Sequence, residues 1–178
     1  IILIVSGISQ SNEEKIVQAK NLQRKVEYER KLSQSNIYEI DKMSGSEFEE
    51  YLHILFRKLG YQSRKTKLSG DYGADLIIEK DDTTTVVQAK WYVGKVSIKA
   101  VQEITSAIAF YHANSGWVVT NSYFTEPAKN LAHINNITLI DRDTLMNLII
   151  KSKEGDNIWI FTIDFQFSWD KKTFPQDK

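Results

Sequence analysis

The chain of 178 residues reads as an α/β fold, one mixed central sheet with helices on both faces. Three observations predict it. Between residues 43 and 151, amphipathic helical stretches and short β-branched or aromatic runs follow the order helix, three strands, then alternating helix and strand, which packs as helices over a sheet. The hairpin 74–92 is apolar on both faces, as strands in the middle of a sheet are. Hydrophobic residues make up 42% and charged residues 26%, a balance that buries a core and is foreign to a disordered polymer.

Element by element, residues 13–32 are rich in Glu, Lys, Arg and Gln without Gly or Pro, and Ile16, Ala19, Leu22 and Val26 form a thin helical stripe. A solvated linker helix is expected there. Composition shifts at Met43-Ser44-Gly45-Ser46, where either serine can cap a helix with Glu47, Glu49 and Glu50 in its first turn. Phe48, Leu52, Leu55, Phe56 and Leu59 carry that helix, and Gly60 ends it. A polar-basic strand over 61–67 leads through Ser69-Gly70-Asp71-Tyr72-Gly73 to strands at 74–79 and 84–92. A helix over 97–113, a strand over 117–120, a helix from Pro127, a strand over 137–140 and a closing helix from Asp141 complete the unit. From Trp159 to Trp169, apolar and polar residues alternate as in a strand with one apolar face. The expected organisation is a stub and linker helix at 1–42, the α/β domain at 43–151, and a β extension at 152–178.

Composition also excludes. Lys and Arg number 23 and so do Asp and Glu, so binding to an anionic partner must come from local charge placement. The absence of cysteine removes thiolate zinc sites, cysteine nucleophiles, disulfides and cysteine-ligated clusters, and is compatible with the cytoplasm. His53, His112 and His133 lack metal-ligand spacing, and no Walker lysine motif or dinucleotide fingerprint is present. The run Ile1–Val5 is far shorter than the roughly 20 residues of a membrane helix. It reads as a short strand or frayed end, or as the last turn of a membrane helix beginning upstream.

The hairpin carries the chemistry. With Asp81 and Asp82 at the centre of its turn, facing positions sum to 163. Asp75 then lies opposite Gln88, and Gly73 lies opposite Lys90, leaving space beside the lysine. Opposed residues share a face, as do residues two apart on one strand, so Asp75, Gln88 and Lys90 converge at the sheet's end. Unpaired polar groups are expensive there, and a divalent cation with a phosphate would satisfy them. Residues 57–99 hold nine Lys and Arg against five Asp and Glu, an excess suited to a phosphate backbone. Lys65 and Lys67 share a strand face beside the site loop, and Lys95 and Lys99 add charge nearby.

Gly70-Asp71-Tyr72-Gly73-Ala74-Asp75 followed by Gln88-Ala89-Lys90 resembles the core of the PD-(D/E)xK nuclease superfamily. More closely, it resembles the Mrr-like restriction endonuclease catalytic domain, in which glutamine stands in for the second acid. Gly45-Ser46-Glu47-Phe48-Glu49, Ala100-Val101-Gln102-Glu103 and Val119-Thr120-Asn121-Ser122-Tyr123-Phe124-Thr125 match further blocks, so the resemblance covers residues 43–150. It implies a restriction-endonuclease-like fold and a DNA endonuclease using Mg²⁺, with Mn²⁺ able to substitute. Asp75, Gln88 and Glu49 would hold the cation, Lys90 would act on water or phosphate, and Gln102 would hydrogen-bond near the site. Ala74 replaces the superfamily's proline, and Gln88 removes one negative charge, so Gln88→Glu is expected to tighten cation binding. The implied partners are double-stranded DNA and a second copy of the chain. Restriction of foreign or modified DNA is the implied role; a DNA-repair or junction nuclease, and an inactive DNA-binding or scaffold module tethered to a membrane, are the alternatives.

Overall fold

A computed structural model describes residues 14–24, 26–27, 35–66 and 72–154. Residues 14–24 are helical (α1) and exposed along their length, in keeping with the thin apolar stripe. The apolar stub at 1–5, Lys67, Gly70, Asp71 and the alternating segment 159–169 lie outside the described residues. Among the described residues, no helix is long and apolar enough to cross a membrane.

Five strands, β1 (Gln62–Lys65), β2 (Leu76–Lys80), β3 (Thr83–Lys90), β4 (Ser115–Thr120) and β5 (Thr138–Ile140), form one sheet in sequence order. The first three pair antiparallel; β3, β4 and β5 run parallel. The Asp81-Asp82 turn sets the hairpin register. Both residues have positive φ, 49° and 58°, the conformation of a two-residue turn whose twist matches the strands. Leu76 therefore faces Val87 and Lys80 faces Thr83, as the sequence arithmetic expects.

Helices cover both faces. On one side, α2 (Ile37–Ile40), α3 (Gly45–Lys58) and α6 (Arg142–Glu154) pack Ile40, Phe48, Leu52, Phe56 and Leu145 onto Leu76, Ile78, Val87 and Val119. On the other, α4 (Ile98–Phe110) and α5 (Glu126–Ile134) pack Val101, Ile104, Ala128 and Ala132 onto Ile77, Val86 and Val118. This alternation along β2 and β3 is the period-two pleat of a strand buried on both faces. Ser44 caps α3 by accepting from the Glu47 N–H at 3.3 Å, while the Glu47 carboxylate accepts from the Ser44 N–H at 2.7 Å, a reciprocal cap.

The packed unit begins earlier than the expected boundary at 43. Asn36 and Glu39 form a second reciprocal cap that starts α2, and Ile37 and Ile40 are buried in the core. Ile40 also offers its carbonyl to the Trp91 indole N–H at 3.0 Å. Asp41 then closes an ion pair of 2.7 Å with Arg142 at the start of α6.

Candidate active site

The site end of the sheet is a consequence of strand direction. β1 ends at Lys65, β3 at Lys90 and β4 at Thr120, and β2 starts at Leu76, all at one rim. Asp75 stands one residue before β2. Its N–H donates to the Val87 carbonyl at 2.8 Å and its carbonyl accepts from the Thr66 N–H at 3.0 Å. The Asp75–Val87 bond is one residue out of step with the ladder below it, as at a bulge. The step leaves the Ala89 N–H without a backbone partner on β2, and Asp75 Oδ2 accepts from it at 2.7 Å. The carboxylate is thus seated in the fork where β2 and β3 part.

Gln88 is 1% exposed. Its Nε2 donates to Glu103 Oε2 of α4 at 2.7 Å, and its Oε1 is buried with no hydrogen-bond partner among the described residues. Leaving such an acceptor unpaired costs about 1–3 kcal/mol, which makes it a candidate position for a further partner. Lys90, two residues on and on the same face, brings Nζ to 3.1 Å from the same Glu103 oxygen, with both side chains about one-third exposed (38% and 31%). Burial by itself would raise the Glu103 pKa. Hydrogen bonds from Lys90 and Gln88, and the charges of Lys90 and Lys99, outweigh it and hold the carboxyl below its ordinary value.

Gly73 shapes this corner. Its φ is +88°, and a Cβ there would stand 2.8 Å from Glu103 Cβ and 3.1 Å from Gln88 Nε2. The room expected beside Lys90 is filled by the Gln88 amide and by α4. Gln88 and Lys90 meet on Glu103. Asp75, expected opposite Gln88, is instead shifted by the bulge, so that its N–H pairs with the Val87 carbonyl and its carboxylate with the Ala89 N–H between them.

The other expected residues lie around this cluster. Glu49 lies half-buried in the first turns of α3, the layer on the opposite side of the sheet from Gln88 and Glu103. The acid that reaches Gln88 and Lys90 is Glu103, because α4 and not α3 covers their face. Gln102 is exposed one step round the helix, its carbonyl accepting from Ser106 Oγ. Lys65 is at the site rim but paired with Glu50 at 3.1 Å. Lys95 is exposed beside Glu126, whose pKa it helps to lower after the larger contribution of Lys129. Lys99 is open at 79% exposure, 3.7 Å from Glu103 Oε1. His53 meets Ser63 at 2.9 Å as a packing contact between α3 and β1.

The donors suit a hard cation. Among the described residues no three His, Asp or Glu side chains converge as a metal cage. The Gln88 amide oxygen and the Asp75 carboxylate are oxygen donors of the type that hard divalent cations take.

The family model described as a restriction endonuclease domain, Mrr_cat, matches residues 40–149. The chain belongs to that family. The match begins at Ile40, at the end of α2, and ends within α6, so it spans the whole packed sheet. No curated protein gives a significant match. Among solved structures, the chain resembles the DNA modification-dependent restriction endonuclease AspBHI (TM-score 0.52, 21% identity, covering 70% of this chain and 38% of that one). It also resembles the MspJI restriction endonuclease in complex with a 27-mer oligonucleotide (TM-score 0.45, 22% identity, covering 62% and 28%). A repair endonuclease from Pyrococcus abyssi is similar too (TM-score 0.43, 21% identity, covering 56% and 46%). The chain spans less than half the length of each. AspBHI has the restriction-endonuclease-like fold found here, a mixed sheet with flanking helices.

Proposed function

We propose that this Mrr_cat-family chain is a divalent-cation-dependent DNA endonuclease that restricts foreign or modified DNA. The single observation that carries the reading is the buried, unpartnered Gln88 Oε1 at the rim shared with Asp75 and Lys90. Asp75 and Gln88 would hold the cation, Mg²⁺ by the hardness of the donors, with Mn²⁺ able to substitute. When bound, it would activate a water and offset charge on the scissile phosphate.

The chain's own groups do the rest. The bond from the Ala89 N–H keeps the Asp75 carboxylate fixed and oriented at the fork. Lys90 Nζ, held by Glu103, is placed to orient the attacking water or to stabilise charge growing on the phosphate oxygens. Lys65, Lys95 and Lys99 on the same rim would contact the DNA backbone, a role shared in the sequence reading by Lys67. One such site hydrolyses one strand at a time, and a pair of copies on the duplex is the proposed route to cutting both.

The test is incubation of the protein with supercoiled plasmid, methylated and unmethylated, in Mg²⁺ or Mn²⁺. The expected result is cation-dependent nicking or linearisation by the wild type, abolished by EDTA, by Asp75→Ala and by Lys90→Ala. Methylated plasmid is expected to be cut preferentially, since AspBHI, of the same fold, is described as modification-dependent. Equal nicking by the wild type and both variants would expose contamination and end the proposal. Salt-sensitive DNA binding without cleavage in any cation would replace it with a binding module.

A further inference from the structure

Glu103 does more at this site than neutralise a lysine. An ionised carboxylate offers only acceptors, so a group 2.7 Å from it must be a donor. Glu103 Oε2 therefore decides which end of the Gln88 amide faces α4: Nε2 turns toward the helix, and Oε1 turns into the buried position where no described residue meets it. The two ends of an amide are nearly identical in shape. Without that carboxylate the amide could turn over and present hydrogens where a cation needs an oxygen. The same oxygen holds Lys90 at 3.1 Å, and Lys99 stands 3.7 Å from the other one. Gly73 has no Cβ where one would strike Glu103 Cβ at 2.8 Å, so the hairpin is shaped to let this residue approach.

We infer that Glu103 is the positioning residue of the site: carried on α4 instead of β3, it supplies the second carboxylate, aims the Gln88 oxygen at the cation and holds the Lys90 ammonium. This rests on the cation-dependent reading above and deepens it. It also reverses one expectation from sequence. Gln88→Glu alone adds charge but sets two carboxylates against each other across the 2.7 Å contact, so it weakens cation binding instead of tightening it.

The experiment is a charge swap in the full chain. Mn²⁺ affinity is measured by electron paramagnetic resonance, and KM and kcat for plasmid cleavage are measured on the same samples. Glu103→Gln and Gln88→Glu are each expected to weaken Mn²⁺ binding about 10–100-fold, the usual effect of losing a group that orients a metal ligand. The double variant Gln88→Glu/Glu103→Gln restores one donor facing one carboxylate and is expected to recover most of that affinity. A merely structural role for Glu103 would not produce such recovery. Glu103→Asp keeps the charge but is one methylene too short to hold both partners, and is expected to bind Mn²⁺ more weakly even if Glu103→Gln does not fold. Wild-type affinity in Glu103→Asp, or a double variant no better than the worse single one, overturns the inference. A wild type that cuts DNA while every variant binds Mn²⁺ alike removes the positioning role and leaves the nuclease reading intact. A wild type that binds Mn²⁺ in the expected pattern but never cuts DNA does the reverse.

Discussion

Replacing Gly73 by alanine probes the corner where the hairpin meets α4. Two costs add. Alanine at φ +88° enters the left-handed region at about 1–2 kcal/mol, partly offset by about 0.4–1 kcal/mol from a less flexible unfolded chain. Its methyl would then lie 2.8 Å from Glu103 Cβ and 3.1 Å from Gln88 Nε2. These are atoms anchored close to backbone or buried, so relief requires a shift of helix against strand, typically about 1–3 kcal/mol. Gly60 supplies the control. Its φ is also positive, +86°, yet the nearest atom to a Cβ there is the flexible Lys80 Nζ at 3.7 Å. Gly60→Ala therefore carries the conformational cost alone. In urea denaturation, Gly73→Ala is expected to lose about 2–3 kcal/mol, a midpoint shift of roughly 1–2 M for a domain of this size, and Gly60→Ala about 1 kcal/mol or less. Equal midpoints for the two variants would refute the packing of Gly73 against Glu103 and Gln88.

The Asp41–Arg142 pair ties α2 to α6. The hydrogen bond from Arg142 outweighs partial burial and, with Asn121, lowers the Asp41 pKa below its ordinary 3.8. Its stabilisation is therefore complete above about that value and lost as pH falls through the lowered one. Asp41→Asn is expected to cost about 1–2 kcal/mol at neutral pH, between an exposed and a buried pair. Thermal melts of wild type and variant should converge below pH 4, and a gap that persists unchanged into acid contradicts the assignment. Trp91→Phe removes the donor to the Ile40 carbonyl and should cost about 1 kcal/mol in the same denaturation assay. Lys99→Ala, changed at an open rim position, should leave stability untouched and lower the salt dependence of DNA binding by about one phosphate contact. An identical salt slope would remove Lys99 from the interface.

How much of this was legible in the sequence depended on the range of each contact. The β2–β3 register was readable because a two-residue Asp-Asp turn fixes facing positions arithmetically, and the sheet's double-sided burial followed from Leu76, Ile77, Ile78, Val86 and Val87. The Ser44 cap and the helix it starts were local signals as well. The Asn36/Glu39 cap was equally local but lay within residues 1–42, read as stub and linker, so α2 was missed. Glu103 was harder. It stands beside Gln102 in a block whose likeness to the family was noted, but a helix of 3.6 residues per turn gives adjacent positions different directions. Only the packing of Val101 and Ile104 onto the sheet decides that residue 103 reaches Gln88. Glu49 shows the same limit from the other side: its helix start was readable, but that α3 covers the face away from Gln88 and Glu103 is a tertiary fact.

The account stands on a cation lying between the Asp75 carboxylate and the Gln88 amide oxygen. Mn²⁺ titrated into ¹⁵N-labelled protein, followed by paramagnetic broadening in amide spectra, tests that directly. The account predicts that the Gln88 side-chain amide and the Ala89 backbone amide broaden first, at substoichiometric Mn²⁺, and that Asp75→Asn abolishes the effect. Early broadening confined to exposed acidic positions such as Glu47 and Glu126, with Gln88 and Ala89 unchanged, would contradict it.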